Sequence, residues 1–214
     1  MYIKNEEMHQ IDLALEQTYP AAECSLRYEG EGWKLLVMAR LSAQCTDERV
    51  NIVCVDLFNK FPTLEEMAAA DLSEIERIVK PCGLFRGKAK NIKDSCAMLA
   101  NEYGGVLPRS IDELLKFPGV GRKIANLLLG DLFNMGGIVA DTHCMRICGR
   151  FGAYEEGLKD PVKVERILTP MIEQSRQSDF CHRLVLFGRE TCTARNPKCG
   201  TCPVRTLCNK GRAL

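Results

Sequence analysis

The chain has 214 residues, 46% of them hydrophobic, with 29 Lys and Arg against 28 Asp and Glu and a formal net charge of +1. That length suits one large domain or two small ones sharing a core, and the near-neutral balance excludes a uniformly basic nucleic-acid-binding surface. Any affinity for phosphate must come from local clusters of positive charge, and with 7% aromatics and one Trp the core must be mainly aliphatic.

Residues 1–10 are polar and charged and lack the apolar stretch of a secretory signal. Apolar runs such as Ala125–Leu129 are far too short to span a bilayer. A cytoplasmic location without membrane association is therefore expected. Apolar residues spaced three and four apart predict helix nearly throughout. Helix starts are marked by Thr63 with Glu66, Asp71 with Glu74 and Ser110 with Glu113, each fitting a capping box or its Asp variant. Breakers fall between them, at Pro81, Gly83, Gly104-Gly105, Pro108, Pro118-Gly119, Gly136-Gly137 and Pro161. No alternating run demands a strand. The fold class is all-α, with nine or ten short helices.

Twelve cysteines occur. Without a secretory signal, a general disulfide framework is not expected. Cys45, Cys54, Cys96, Cys144 and Cys148 fall inside helical apolar patterns, where a thiol acts as a small hydrophobe.

The segment from Leu114 to Asn126 is the most informative. A short helix ends near Phe117, Pro118-Gly119-Val120-Gly121 forms a tight turn, and a second helix starts near Gly121 with Ile124, Leu128 and Leu132 on one face. Two glycines flanking one aliphatic residue let backbone N–H groups approach a phosphate. The helix N-terminus, carrying Arg122, adds positive potential there. Such a hairpin grips a sugar–phosphate backbone without reading sequence. Taken alone, the turn fits an ordinary helical joint equally well. Lys123 lies in the first turn of the second helix, off the apolar stripe, beside the small or polar Asn126 and Gly130, on a face that could line a groove. The positive end of a helix suits a lysine that must react in its neutral form. A solvated lysine or a plain phosphate contact is the blander alternative.

Farther on, Val139-Ala140-Asp141-Thr142-His143 precedes an apolar helix running to Arg150. Asp141 is placed as its N-cap. A carboxylate held near Lys123 could also stabilise positive charge developing on a sugar and assist proton transfer. His143 could orient neighbours or contact a nucleic-acid backbone.

Near the C-terminal end, Cys192, Cys199, Cys202 and Cys208 follow one another with six, two and five residues between them. Four thiolates fit a tetrahedral zinc or an iron–sulfur cluster, and spacing alone leaves both open. Residues 192–214 contain Arg195, Lys198, Arg205, Lys210 and Arg212 and no Asp or Glu. A metal-pinned basic loop suggests a docking surface for phosphates. Phe85–Lys93 is a second basic stretch.

These three motifs, in this order and spacing, resemble the endonuclease III family. Leu41-Ser-Ala-Gln-Cys-Thr-Asp47 and Gly83-Leu-Phe-Arg-Gly-Lys-Ala89 are similar to two further family segments, and the resemblance runs from about residue 5 to 210. It implies a two-lobed all-α fold. A six-helix bundle would span 25–135 with the hairpin at 114–126. The second lobe would join 1–24 to 136–214, with the cluster loop at 192–208. It also implies a 4Fe–4S cluster rather than zinc, held by Cys192, Cys199, Cys202 and Cys208.

The implied activity is base-excision repair of double-stranded DNA, by a monomer that would be nucleoid-associated in a bacterium. The enzyme flips a damaged base, expected to be an oxidised pyrimidine, out of the stack. Leu84 falls at the family's wedge position and Gln44 at its gap-filling position. Gly119, Val120, Gly121, Arg122 and His143, with Arg195 and Lys198 of the cluster loop, would contact DNA. Lys123 would attack the sugar and Asp141 assist, with β-elimination at the resulting abasic site. For Leu84 the alternative is a core leucine, and for Gln44 a helix-surface amide.

Ile124 stands where the family usually has Thr, Phe85 where it often has Tyr, and Ala140 where Val is frequent. Arg40 interrupts the apolar run Leu35–Leu41. If buried it needs a carboxylate, which is expected nearby. Rival readings are a monofunctional adenine or mismatch glycosylase of the same fold and a non-enzymatic iron–sulfur DNA-damage or redox sensor. The first usually lacks the lysine and carries a further C-terminal domain, and the second needs no Lys123–Asp141 pair. A purely structural zinc protein is a third, which a brown protein would exclude.

Overall fold

The helical spacing of apolar residues is realised in a computed structural model that describes residues 2–213. Residues 1 and 214, the outer ends of the expected second lobe, lie outside the described residues. Among the described residues there are twelve α-helices and no strand. The count exceeds the expected nine or ten, partly because the single turn at Asn209–Arg212 is too short to leave a periodic signal.

Two compact units form. Cys24–Phe133 is one, and the chain up to Glu23 joins that from Asn134 onward in the other. The first contains α2 (Gly32–Leu41), α3 (Asp47–Lys60), α4 (Leu64–Ala69), α5 (Leu72–Val79), α6 (Phe85–Tyr103), the single turn α7 (Ile111–Leu114) and α8 (Arg122–Phe133). The hydrophobic residues of α2 are buried all round, as expected of a helix at the centre of a core. It packs on α3, α6 and α8. Leu35, Leu57, Ile75, Leu99, Leu114 and Leu128 share this core and are fully buried.

Start signals act as the sequence suggests at two of three places. Thr63 and Glu66 form a reciprocal capping box, and Asp71 accepts from Ser73 N at 2.7 Å. Ser110 occupies the N-cap of α7, but its hydroxyl makes no capping bond.

The basic stretch 85–93 is not a continuous surface. Lys88 is 1% exposed. Its Nζ donates to Leu41 O and to Cys82 O, each at 2.8 Å. The ammonium thus fastens the end of α2 to the segment entering α6. Burial lowers its pKa from the ordinary lysine value, partly countered by the nearby Cys45 and Cys82 thiols. Lys90 is engaged with Asp94 at 2.6 Å.

The second unit contains α1 (Asn5–Thr18), α9 (Thr142–Phe151), α10 (Pro161–Leu168), α11 (Gln177–Glu190) and the single turn α12 (Asn209–Arg212). Met8, Ile11, Leu15, Ile147, Phe151, Phe180, Leu184 and Phe187 fill its core. Asp12, buried in α1, pairs with Arg176 and with Arg183 at 3.2 Å, while Glu16 reaches the same two arginines at 3.0 and 3.1 Å. This joins the N-terminal helix to a chain segment about 160 residues away. No helix is long and apolar enough to cross a membrane.

Replacing Lys88 by Met keeps the side-chain length but leaves two buried carbonyls unpaired, at a cost of about 2 kcal/mol. Urea unfolding of Lys88→Met is therefore expected at a lower midpoint than the parent. An unchanged midpoint would mean that those carbonyls find other donors.

Candidate nucleic-acid interface and metal centre

The hairpin is built as the sequence suggests. After α7, Phe117 N bonds to Leu114 O and Val120 N to Phe117 O at 3.0 Å, closing the turn. Ser95 Oγ, from α6, donates to Pro118 O at 3.0 Å. Gly119 has φ +77°, a left-handed conformation that favours glycine. A Cβ there would overlap Arg40 Nε and the Asn91 amide unless those side chains moved, so glycine is favoured on two counts. Gly119, Gly121, Arg122 and Lys123 are exposed. Val120 is buried and anchors the turn to the core. Its N–H is already used within the turn, leaving the flanking glycines nearer any incoming phosphate.

Arg40 does not have the expected carboxylate. With the Asn91 amide oriented so that its oxygen faces the guanidinium, that oxygen accepts from Arg40 Nη2 at 2.8 Å and Nε at 3.2 Å. Arg40 is only half-buried, so a neutral acceptor suffices. Burial alone lowers its pKa from the ordinary arginine value. An arginine thus lies directly behind the hairpin turn and adds to the positive potential there.

The face beside Lys123 also differs from expectation. Asn126 and Gly130 are buried rather than open, and the core side of α8 is carried by Ala125, Leu128 and Leu129. Ile124 and Leu132 are only partly covered. The buried face is rotated by one residue from the anticipated stripe.

Gln44 and Leu84 both occupy left-handed backbone, with φ of 54° and 47°. Non-glycine residues seldom do so, and such strain gathers at functional positions. Leu84 is 65% exposed, which removes the core-leucine alternative. Gln44 lies in the turn between α2 and α3 rather than on a helix. Cys45 shares that turn, so it is not the helical core cysteine that the sequence pattern suggests. Cys54, Cys96, Cys144 and Cys148 are buried.

Lys123 and Asp141 belong to different units. Asp141 is the N-cap of α9, its Oδ1 accepting from Cys144 N at 2.7 Å. His143 Nδ1 lies 3.2 Å from Arg146 Nη2. Arg146 also donates to Cys192 O at 3.1 Å.

One turn along α9, Arg150 is 7% exposed. It donates to Thr193 O at 2.7 Å and Ala194 O at 2.8 Å, and lies 3.4 Å from Cys192 Sγ. Cys208 Sγ donates to Arg150 O at 3.2 Å. The sequence reading missed Arg146 and Arg150. Their signal was two arginines four apart inside an otherwise apolar helix.

Cys192, Cys199, Cys202 and Cys208 line one pocket that opens to solvent. Arg195, Lys198 and Arg205 are exposed around it. Lys210 and Arg212 are not free for phosphate, because they pair with Glu156 at 2.9 Å and Glu7 at 2.8 Å.

The fold and this motif set define a class. Residues 37–174 match the model of the HhH-GPD superfamily of base excision DNA repair proteins. Residues 192–208 match the iron–sulfur binding domain of endonuclease III. Endonuclease III of Synechocystis sp. is 40% identical over 214 residues, covering 100% of this chain and 96% of its own. That of Bacillus subtilis is 40% identical over 209 residues, covering 96% and 94%. A solved non-covalent endonuclease III–DNA complex superposes with a TM-score of 0.90 at 37% identity, covering 99% of this chain and 98% of its counterpart. The structure of a trapped endonuclease III–DNA covalent intermediate matches equally well. The chain belongs to the endonuclease III family.

Its cofactor is a 4Fe–4S cluster, and the pocket fits it. Burial pushes the Cys202 and Cys208 thiols up, and the neighbouring thiols push them further. Four mutually repelling sulfur ligands in one pocket call for a cationic centre. Arg150 fixes the loop that bears the first of them. Arg150→Met is expected to weaken cluster retention about 10–100-fold. Faster loss of visible absorbance under a chelator would show this, and loss at the parent rate would exclude it.

Proposed function

We propose that this protein is a bifunctional DNA N-glycosylase and abasic-site lyase of base-excision repair, acting on double-stranded DNA in the cytoplasm. Family membership along the whole chain carries the activity. The exposure of Lys123, one residue into α8 behind a phosphate-gripping turn, carries the residue assignment. The hairpin, through Gly119, Gly121 and Arg122, holds the DNA backbone, and Arg195, Lys198 and His143 add contacts. Leu84 enters the stack and Gln44 faces the orphaned base, so that the damaged nucleotide, an oxidised pyrimidine, turns outward.

Neutral Lys123 Nζ then attacks C1′ of the sugar. The N-glycosidic bond breaks and the base leaves with its electron pair, taking up a proton. The Asp141 carboxylate stabilises the positive charge developing on the sugar and moves protons to and from the lysine. Opening of the ring gives an iminium on Nζ. Loss of a C2′ proton expels the 3′ phosphate oxygen by β-elimination, and water releases the lysine. Cys192, Cys199, Cys202 and Cys208 hold the 4Fe–4S cluster, which pins the loop that presents Arg195 and Lys198.

Borohydride should trap the parent protein on an abasic-site duplex as a covalent adduct. Lys123→Gln is expected to lose both adduct and strand scission while still binding the duplex. Asp141→Asn should keep binding and lose about 10²–10⁴-fold in turnover. A parent protein that binds but yields no adduct would overturn the lyase assignment. Gly119→Ala, strained at positive φ by about 1–2 kcal/mol and displacing Arg40, should weaken duplex affinity in a fluorescence titration.

A further inference from the structure

Residues 134–140, which lead into Asp141, have no regular secondary structure. Gly136 and Gly137, at φ of 76° and 139°, add to the freedom of that segment. The start of α11 holds it. Gln177 is 4% exposed. Its Oε1 accepts from Gly137 N at 2.9 Å. Its Nε2 donates to Thr169 O at 3.0 Å and to Ile172 O at 3.1 Å. With both ends of the amide engaged, the side chain has one orientation. One turn along α11, the buried Cys181 accepts on Sγ from Val139 N at 3.3 Å. Residues four apart share a helix face and lie about 6 Å apart along the axis. Two residues of open chain span up to about 7 Å. The N–H groups of Gly137 and Val139 therefore meet both acceptors in register. Gly136 permits the close approach, because a Cβ there would fall 2.6 Å from the backbone oxygen of Gln174. Val139 O in turn accepts from Asp141 N at 2.8 Å.

We propose that Gln177 and Cys181 are positioning residues for turnover: from one face of α11 they fix the backbone that delivers the Asp141 carboxylate. The inference rests on the role in turnover given to Asp141. Both side chains are buried and act only through that carboxylate. All the residues involved belong to one compact unit. The capping bond from Cys144 N ties Asp141 to α9. The two bonds from α11 set the direction from which the chain enters that helix.

Without those bonds, two buried N–H groups lose their acceptors and the segment shifts to find others. A reacting group displaced by about 1 Å can lose about 10²-fold in rate. Affinity for DNA should not follow, because the hairpin that holds the backbone is built from other residues.

The test uses the full-length, cluster-loaded protein. Single-turnover scission is measured on a duplex carrying thymine glycol, an oxidised pyrimidine. Affinity is measured by fluorescence titration with a duplex carrying a stable abasic analogue. Gln177→Met keeps the side-chain length and loses all three hydrogen bonds. Cys181→Ala removes the sulfur acceptor alone and is the milder change should Gln177→Met fold poorly. Gln177→Met is expected to slow scission about 10–100-fold and Cys181→Ala about tenfold, each with affinity within about twofold of the parent. Cys181→Ser, whose oxygen can accept the same N–H, should recover most of the loss. The deciding comparison joins Cys181→Ala to Asp141→Asn. If the sulfur acts through the carboxylate, the double variant is no slower than Asp141→Asn alone, whereas a merely structural role multiplies the two losses. Parent-rate scission in either folded variant overturns the inference. So does a loss that falls on affinity rather than rate, or one that multiplies in the double variant. Asp141→Asn at the parent rate would instead remove the role of the carboxylate, and the inference with it. A parent inactive on thymine glycol would fail the base assignment alone, and the same comparison is then made on the abasic-site duplex.

Discussion

A buried ammonium answered by two backbone carbonyls is the interaction on which the Cys24–Phe133 unit depends. Lys88 is inaccessible, and its partners are the last residue of α2 and the residue before Gly83. Both carbonyls close a stretch of chain that would otherwise have unpaired acceptors in an apolar interior. By satisfying them together, one side chain fixes where α2 stops and how α6 starts. The left-handed residues Gln44 and Leu84 lie just beyond those two points. Their strain persists because Lys88 and the surrounding core over-determine the backbone. The exposure of Leu84 is thus a product of packing one turn away from it.

The hairpin relies on a similar arrangement. Gly119 is held from below by Arg40 and Asn91, and Pro118 by Ser95. The guanidinium fills the space that a side chain at Gly119 would take. It satisfies itself on an amide oxygen, so its charge is not cancelled. In the phosphate-gripping role proposed for this turn, it gains from a cation behind it that no local carboxylate neutralises. Arg40, Arg122 and Lys123 are gathered at this turn in a chain whose net charge is only +1.

In the other unit, Arg150 and Arg146 reach from α9 to the carbonyls of the loop that starts at Cys192. Asp141 caps the same helix. The cluster loop and the carboxylate assigned to catalysis are therefore referenced to one rigid element. Lys210 and Arg212 are drawn into pairs with Glu156 and Glu7, which leaves Arg195, Lys198 and Arg205 as the exposed cations of that loop.

The sequence by itself determined the all-helical class, the hairpin, the cap at Asp141 and the cysteine quartet, because each depends on neighbours within a few residues. Helical periodicity, a Pro-Gly-Val-Gly turn and fixed thiol spacing are local constraints and survive without knowledge of the core. What only the tertiary structure decided were contacts between distant segments. Arg40 looked in need of a carboxylate, yet its acceptor is an amide 51 positions along the chain. Lys88 read as part of a basic surface stretch, yet it is inside, because its acceptors come from the end of another helix. Asn126 and Gly130 looked open and are covered, since α8 is turned by one residue against α2. Cys45 read as a helical core thiol, yet it sits in the turn between α2 and α3 and is only half-buried. Side-chain burial and pairing at long range are set by how helices pack, and no local pattern encodes them.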